Sequence, residues 1–368
     1  ISGIPPPCQS ETNMKKYLIP AVAVSLMGCI SISQLLNLSG LFALSAIPMP
    51  DFSNDRSDDY GRVKIKLGAV DQLGGPLKSV LNQIELTSGM KTIDIESTEF
   101  ISGHAQGNLL VLVDGSGSLE SIGCASCPTD PMRHRVEAVI ELASSLHECV
   151  PEWSIGLMEF GPRSSSGFND SLMLVDYTMD TFEIESNADE LISDGGTPLW
   201  DSLLETLDDL SIRIEHDLSD HALESEPLVD EHEERPSKNS GRGLVVVTDG
   251  EDTISLNTVD KVIVQAKSFE IPVSVIALGE ASDLVFTSSE TAVEDLRRLA
   301  DETGGFYATV SMAMDLPILS DHVAKAYCGG HTEILARFLD VPDSGEQVDG
   351  RIWLKHTGLS APFGFRAP

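Results

Sequence analysis

Apolar residues along the chain follow two kinds of pattern, and the change between them occurs near residue 107. Before that point RVKIKL and KTIDIEST alternate with a period of two, and the QLGGP between them is a turn signal. After it, nearly continuous apolar runs such as LLVLV and LVVV alternate with longer segments of helical period. Continuous apolar runs are typical of strands covered on both faces. The pattern therefore predicts a β-rich segment over 61–106 followed by an α/β domain over 107–328.

Strands and helices alternate from residue 107, which favours an α/β fold: a doubly wound, mostly parallel sheet with helices on both faces. The predicted strands are NLLVLVD, WSIGLMEF, LMLVDYT, GLVVVTD, PVSVIALG and GGFYATV. The predicted helices are RHRVEAVIELASSLHECV, PLWDSLLETLDDL, LNTVDKVIVQAKSF, TAVEDLRRLADET and AMDLPILSDHVAKAY. Strand-like alternation returns over 329–368. Because neither flank can bury its own apolar face, we expect 61–106 and 329–368 to pair into one small β-domain.

The α/β pattern is interrupted by an acidic insertion over 214–240. This segment has no apolar period, which predicts a solvated loop. Three histidines lie among its carboxylates and could instead hold a second metal ion, although the charge run favours the loop; they are His216, His221 and His232.

The N-terminal region has the pattern of an export signal. From residue 14, two lysines precede roughly a dozen apolar residues, too few to span a bilayer. The run ends in LMGC, which resembles the lipobox of bacterial lipoproteins, in which the cysteine is lipidated. The resemblance implies a signal peptide that ends before Cys29 and a lipid anchor on Cys29, so that 1–28 comprises upstream residues and the signal. The polar, acidic DFSNDRSDDY at 51–60 predicts that 29–60 is a linker. An uncleaved anchor, or an ordinary signal cleaved near Ala46, stays open as an alternative.

Composition narrows the classes of partner. The chain has 58 acidic against 24 basic residues and a formal net charge of −34. Nucleic-acid binding needs clustered Lys and Arg, so we expect no nucleic-acid partner. Hydrophobic content of 41% is enough for a sizeable core, whereas 5% aromatic residues argue against a stacking platform for bases or sugars.

Hydroxyl and carboxylate side chains occur where predicted strands end or helices begin. Asp114, Ser116 and Ser118 follow LLVLV, Thr197 precedes a helix in GGTPLWDSL, and Asp249 follows LVVVT. In a doubly wound sheet the loops at the carboxyl ends of the strands meet at one edge. The sequence therefore predicts a cluster of hard oxygen ligands, which suits Mg²⁺ and makes zinc a poor fit.

These five positions, in this order and spacing, resemble the metal-ion-dependent adhesion site of von Willebrand factor type A domains, and the resemblance covers residues 107–328. It implies that Ser116, Ser118 and Thr197 offer hydroxyls to Mg²⁺ (or Mn²⁺ or Ca²⁺). It also implies that Asp114 and Asp249 act mainly through bound water. An open coordination position would then accept a carboxylate from a protein ligand.

Catalytic interpretations of the same residues are disfavoured. A haloacid-dehalogenase aspartyl nucleophile would require a second Asp two residues after Asp114, and that position is Ser116. A serine-hydrolase elbow requires Gly-x-Ser-x-Gly, which fits around neither Ser116 nor Ser118. No Walker loop occurs in the sequence. We therefore expect a non-enzymatic protein.

Four further cysteines suggest disulfides, since an exported protein favours oxidised thiols. Cys124 and Cys127 lie in a long loop after the first strand of the α/β domain. Cys149 and Cys328 fall at the ends of its first and last helices, which are neighbours in the type A fold. Three connectivities exist in principle; we predict Cys149 with Cys328 and Cys124 with Cys127.

Taken together, the sequence predicts an exported, lipid-anchored protein of a bacterial cell envelope that binds a protein ligand through a metal ion. Two other classes stay open. One is a structural envelope protein whose metal only stabilises the fold. The other is a thiol-disulfide protein that uses Cys124 and Cys127.

Overall fold

The computed structural model describes most of the chain beyond residue 39, and all the described residues belong to one compact unit, Leu38–Pro368. Within helix residues 213–224 only the backbone is described. The described ranges are 40–49, 61–70, 84–89, 91, 93–120, 128–161, 171–224, 241–285, 288–355 and 359–367. Cys29, Cys124, Cys127 and most of the acidic insertion lie outside them.

Strands and helices alternate along the central part of the chain, and strands alone occupy its two flanks. The strands are β1 (Gly40–Met49), β2 (Arg62–Val70), β3 (Ile84–Thr87), β4 (Ile93–Ile101), β5 (Gln106–Asp114), β6 (Glu152–Phe160), β7 (Ser171–Thr178), β8 (Gly241–Thr248), β9 (Val273–Ala277), β10 (Tyr307–Thr309), β11 (His331–Phe338), β12 (Gln347–Leu354) and β13 (Ser360–Arg366). The helices are α1 (His134–Cys149), α2 (Thr181–Ala188), α3 (Leu199–Glu224), α4 (Val259–Phe269), α5 (Glu290–Thr303) and α6 (Leu316–Gly329).

The central sheet has the order β10-β9-β8-β5-β6-β7, and every neighbouring pair is parallel except β6 and β7. Successive residues of β5 serve opposite faces of the sheet. Val111 and Val113 pack with α1, α2 and α6, whereas Leu110 and Leu112 pack with α3, α4 and α5. Helices therefore cover both faces, and the predicted α/β fold is confirmed.

The two flanks of this domain form strand pairs with each other. Strand β11 lies between β2 and β4 in an antiparallel sheet of order β1-β2-β11-β4, and β12 joins β13 and β3 in a second sheet. The two sheets share one apolar core. Within it the rings of Phe338 on β11 and Phe365 on β13 lie 6.0 Å apart. The flanks thus make a β-sandwich.

Strand β1 corrects the predicted linker over 29–60. It pairs antiparallel with β2 along its whole length, and Ala46 lies opposite Ile65. The apolar run GLFALSAIPM resembled part of a targeting segment, yet its side chains are largely buried in the sandwich and against the α/β domain. Cleavage near Ala46 would cut this strand.

Helix α3 corrects the predicted loop over 214–240, because it continues to Glu224. Its first turns are anchored by fully buried leucines such as Leu203 and Leu207. Once a helix is nucleated, each further residue adds a hydrogen bond at little cost, so acidic residues can extend it into solvent. Helix α2 was also not predicted; Asp180 caps it by accepting a hydrogen bond from the Phe182 N–H at 3.0 Å. No helix in the described ranges has the length and apolarity to cross a membrane.

A buried lysine joins the sandwich to the α/β domain. Lys66 of β2 donates from Nζ to the carbonyl oxygens of Gly304 (at 3.1 Å) and Gly305, and it lies 5.2 Å from the ring centre of Phe306. Glu333 of β11 lies 3.5 Å from the same nitrogen. These contacts meet the turn that precedes β10, so the junction lies at the amino-terminal edge of the central sheet.

A disulfide joins α1 and α6, which pack against each other on one face of the central sheet. Cys149 at the end of α1 and Cys328 at the end of α6 are bonded, with Cα atoms 6.0 Å apart and a sequence separation of 179 residues. In the chain-entropy description, closing so long a loop stabilises the folded state by about 5 kcal/mol. The bond also ties the last helix of the α/β domain to its first.

Candidate metal centre

Asp114 is buried where β5 ends, and it is held from two sides. Its Oδ1 accepts a hydrogen bond from the Ser116 N–H at 2.7 Å, and its Oδ2 accepts one from the Thr248 hydroxyl at 2.6 Å. Thr248 is the last residue of the neighbouring strand β8, so the parallel register of β5 and β8 places the two strand ends together. The carboxylate orientation is therefore fixed by the sheet itself.

Two serine hydroxyls connect the β5 turn to Asp249. The hydroxyl oxygens of Ser116 and Ser118 lie 3.0 Å apart, and Ser118 donates to Oδ1 of Asp249 at 2.8 Å. Thr129, from the loop before α1, donates to the other Asp249 oxygen. The loops after β5 and β8 thus share one continuous polar cluster.

Thr197 lies beside this cluster, on the loop before α3. Its N–H donates to the Thr253 hydroxyl at 2.8 Å, and its carbonyl accepts from the Thr253 N–H at 2.9 Å. A β-carbon added to Gly250 would lie 3.9 Å from the Thr197 hydroxyl oxygen. Thr197 therefore lies beside the turn that carries Asp249.

Backbone contacts fasten the Thr197 loop to the β5 turn. The Gly117 N–H donates to the carbonyl of Gly195 at 3.0 Å, and the Asp194 N–H donates to the carbonyl of Gly115 at 2.7 Å. Ser193 adds a hydroxyl bond to the Ser116 carbonyl at 2.6 Å. All the metal residues predicted from the sequence thus lie together at the carboxyl-terminal edge of the central sheet.

The two carboxylates of the cluster are electrostatically costly. Burial raises the pKa of Asp114 above its usual range, against hydrogen bonds from Thr248 and Ser116 that lower it. Burial and, after it, the neighbouring Asp114 carboxylate raise the pKa of Asp249 to about 7, against hydrogen bonds from Thr129 and Ser118 that lower it. Two buried like charges destabilise a folded protein unless a counter-charge neutralises them. A divalent cation among these oxygens would supply that counter-charge.

The donor set fits a hard cation. Three hydroxyls and two carboxylates are oxygen ligands of the kind that Mg²⁺, Mn²⁺ and Ca²⁺ prefer, whereas zinc sites are usually built from Cys and His. In the described part of the chain, no group of three or more His, Cys, Asp or Glu side chains has the arrangement of a metal site. The serine and threonine hydroxyls would therefore have to supply much of the coordination here.

Several supporting residues were not predicted from the sequence. Thr248 immediately precedes Asp249 in VVVTDG, so its hydroxyl could have been suspected from the motif. Thr129 carries no such signal, because the chain separates it from Asp249 by 120 residues. Thr253 and Ser193 also carry no signal in the sequence, because their hydroxyls bond to the backbone of neighbouring loops rather than to the side chains of the cluster.

A buried arginine holds the outer layer of the centre. Arg135 of α1 is fully buried; it donates to Oδ2 of Asp130 at 3.1 Å, to Glu120, and to the carbonyl of Ile192 at 3.2 Å. These partners lie on the loop of Thr129, on the turn of Ser118 and on the loop of Thr197. One side chain therefore fastens the two segments that carry the predicted metal ligands Ser118 and Thr197 to the loop of Thr129.

Comparison of this chain with known proteins finds similar solved structures but no similar sequences. No family model matches the sequence, and no curated protein matches it. Among solved structures, the SpRpn10 VWA domain is 14% identical with a TM-score of 0.38, covering 57% of this chain and 93% of its own.

Two longer solved structures are also similar. The pilus adhesin SpaC from Lactobacillus rhamnosus GG is 10% identical with a TM-score of 0.44, covering 90% of this chain and 48% of its own. Proximal thread matrix protein 1 from the mussel byssus, with a zinc-occupied MIDAS motif, is 13% identical with a TM-score of 0.41, covering 66% and 50%. The chain thus spans about half the length of these two proteins.

Proposed function

We propose that this chain binds a protein ligand through a divalent cation, Mg²⁺ first among the candidates, at the carboxyl-terminal edge of its central sheet. The observation that carries the proposal is the hydrogen-bonded cluster of two hydroxyls and two carboxylates at the ends of β5 and β8, with the Thr197 loop fastened beside it. Ser116, Ser118 and Thr197 would hold the cation directly, and Asp114 and Asp249 would hold it mainly through water. Residues that hold the cation in this way would leave one of its positions open for a carboxylate of the ligand.

The chemistry of the cluster explains why it would capture a carboxylate. Neutral hydroxyls donate little charge, so a cation held by them stays electrophilic and attracts a further anionic ligand. Its charge dominates the local field, which lets an acidic protein bind an acidic contact residue. The hydroxyls of the cluster bond to carboxylates and to one another rather than to a histidine, and we propose a binding role without catalysis.

Binding should depend on the cation at two levels, and both can be measured. Titration calorimetry with Mg²⁺, Mn²⁺, Ca²⁺ and Zn²⁺ tests the metal centre itself. Affinity capture from a cell-envelope extract, with Mg²⁺ and again with EDTA, tests ligand binding. We expect specific captured protein only with the cation, and none with an Asp114→Asn bait. Equal capture with and without EDTA contradicts the proposal.

Two other classes predict different results in the same experiments. A structural metal would raise the melting temperature of the chain on addition of Mg²⁺ without any metal-dependent capture. A thiol-disulfide protein would show reactive Cys124 and Cys127 in the native state and exchange them with a small disulfide. Thiol labelling of native protein, read by mass spectrometry, separates that class from the binding proteins.

We further propose that the chain is exported and anchored to a bacterial membrane by lipid on Cys29. The lipobox-like LMGC supports this proposal, and the placement of β1 in the sandwich core counts against cleavage near Ala46. A single acyl chain anchors weakly, so stable attachment requires more than one lipid chain or a second membrane signal.

Mass spectrometry of the protein produced in a bacterial host tests the anchor. We expect the mature protein to begin at Cys29 and to carry diacylglycerol, and we expect Cys29→Ser to accumulate as unprocessed precursor. A mature protein with an intact N-terminus and no lipid would contradict the anchor and leave the metal-dependent binding untouched.

A further inference from the structure

Exposed apolar side chains lie on the loops that surround the metal centre. One lies on the loop between β5 and α1, one on the loop after α2 that leads to Thr197, and two on the loop after β8 that begins with Asp249. Leu256 is 92% exposed and Met132 is 73% exposed. We call this set the apolar collar; it consists of Met132, Ile192, Ile254 and Leu256. Large exposed apolar groups rimmed by polar residues are typical of protein-interaction sites.

Two collar residues, Ile254 and Leu256, are held by specific contacts on the loop after β8. A β-carbon added to Gly196, the residue before Thr197, would lie 3.3 Å from Cδ1 of Ile254. The Leu256 N–H donates to Oδ2 of Asp201 at 2.9 Å, which fixes the backbone beneath an exposed side chain. Ile254 and Leu256 are therefore presented on an ordered loop, so that little conformational entropy would be lost there on binding.

Ile192 is fixed in the same way from the other side of the cluster. Its N–H donates to the buried carboxylate of Glu159, and its carbonyl accepts from Arg135 at 3.2 Å. The next residue, Ser193, bonds to the carbonyl of Ser116. Apolar side chains thus border the cluster on the Thr197 loop as well as on the loop after β8.

The loops that surround the cluster also carry acidic side chains. Carboxylates on the described parts of these loops include Glu120, Asp194, Glu251 and Glu280. Arg133 is a partly exposed basic side chain on the same described loops, and its Nε lies 3.5 Å from Glu120, which offsets part of its charge. We call these four carboxylates the acidic ring. A ligand that brings its own carboxylate to the cation therefore meets like charge from them.

We propose that the collar and its acidic ring select a protein segment in which one carboxylate is flanked by basic and apolar side chains. The carboxylate reaches the cation, the basic residues meet the ring, and the apolar residues cover the collar. Charge complementarity of this kind steers association and rejects wrong partners. Membrane surfaces rich in anionic lipid are disfavoured, because the ring repels them. This inference rests on the proposed function and adds the chemistry of the partner.

A random peptide library displayed on phage tests the selection, with the full chain as bait, Mg²⁺ during binding and EDTA for elution. We expect enriched peptides to contain one Asp or Glu with Lys or Arg and large apolar residues beside it. Enrichment of peptides with acidic or purely polar flanks overturns the inference but leaves metal-dependent carboxylate binding intact. No EDTA-released peptide at all also overturns it, whereas capture of an intact protein would still support the proposed function.

Matched variants locate the binding surface. Against one enriched peptide, Leu256→Ser should weaken binding at least about fivefold, and Glu251→Gln should weaken it at least about twofold. The controls are Leu339→Ser on the sandwich and the exposed Glu185→Gln on α2, which should bind as the unchanged chain does. Equal affinity of the collar variants and the controls would contradict the assignment.

Discussion

Replacement of Asp114 with asparagine is expected to weaken Mg²⁺ binding by roughly 10–100-fold or more, the range seen when partners around a metal are removed. The amide oxygen can still accept from the Ser116 N–H, and the amide nitrogen can donate to the rotated Thr248 hydroxyl. The shape of the site is kept and one negative charge is removed. Titration calorimetry with Mg²⁺ measures the loss, and capture of ligand should disappear with it.

The same variant should remain folded, which separates a metal effect from a folding effect. Burial disfavours the ionised form of Asp114 and raises its pKa, so a neutral side chain removes a cost from the metal-free protein. Thermal unfolding in EDTA should therefore show Asp114→Asn at least as stable as the unchanged chain. Asp189→Asn removes an exposed carboxylate nearby and is the charge-matched control. Mg²⁺ binding by Asp114→Asn at unchanged affinity would show that the cluster is not the metal centre.

Replacement of Arg135 with methionine is expected to lower the free energy of unfolding by about 3–5 kcal/mol. The change leaves Asp130, which is itself fully buried, without its positive partner. The carbonyl of Ile192 and the carboxylate of Glu120 lose their donor as well. Chemical denaturation measures the loss. By contrast, Arg298→Met removes surface ion pairs only and should cost less than about 1 kcal/mol.

Two further variants distinguish a positioning role of Arg135 from mere stabilisation. Arg135→Lys keeps the charge but cannot reproduce the fork that reaches three partners, so the chain should fold while its Mg²⁺ affinity falls. Asp130→Asn combined with Arg135→Met should recover part of the stability, because no unpaired charge remains buried. Unchanged Mg²⁺ affinity in folded Arg135→Lys would mean that this arginine stabilises α1 without positioning the metal loops.

The structure also explains how far local pattern can predict this site. The second halves of β5 and β8, 109–113 and 244–247, are buried and apolar, and the chain turns polar directly after them, so the carboxyl ends of both strands are readable in the sequence. Parallel strands bring such ends to one edge, which is why residues 135 positions apart could be predicted as neighbours. Thr197 was predictable for a related reason, since Pro198 indicates the start of the helix behind it.

Other features depend on partners that no local pattern names. The apolar segment of β1 suits a membrane signal as well as a buried strand, and only its pairing with β2 and its place in the sandwich core decide between them. The length of α3 likewise follows from the packed helix at its start, which lets an acidic segment continue as helix. Thr129 and Arg135 join the metal centre only because the loop before α1 packs against the ends of β5 and β8. Apolar periodicity depends on residues that are close in sequence, so it can be read there. Which distant segments pack together depends on the free energy of the whole fold, so it cannot.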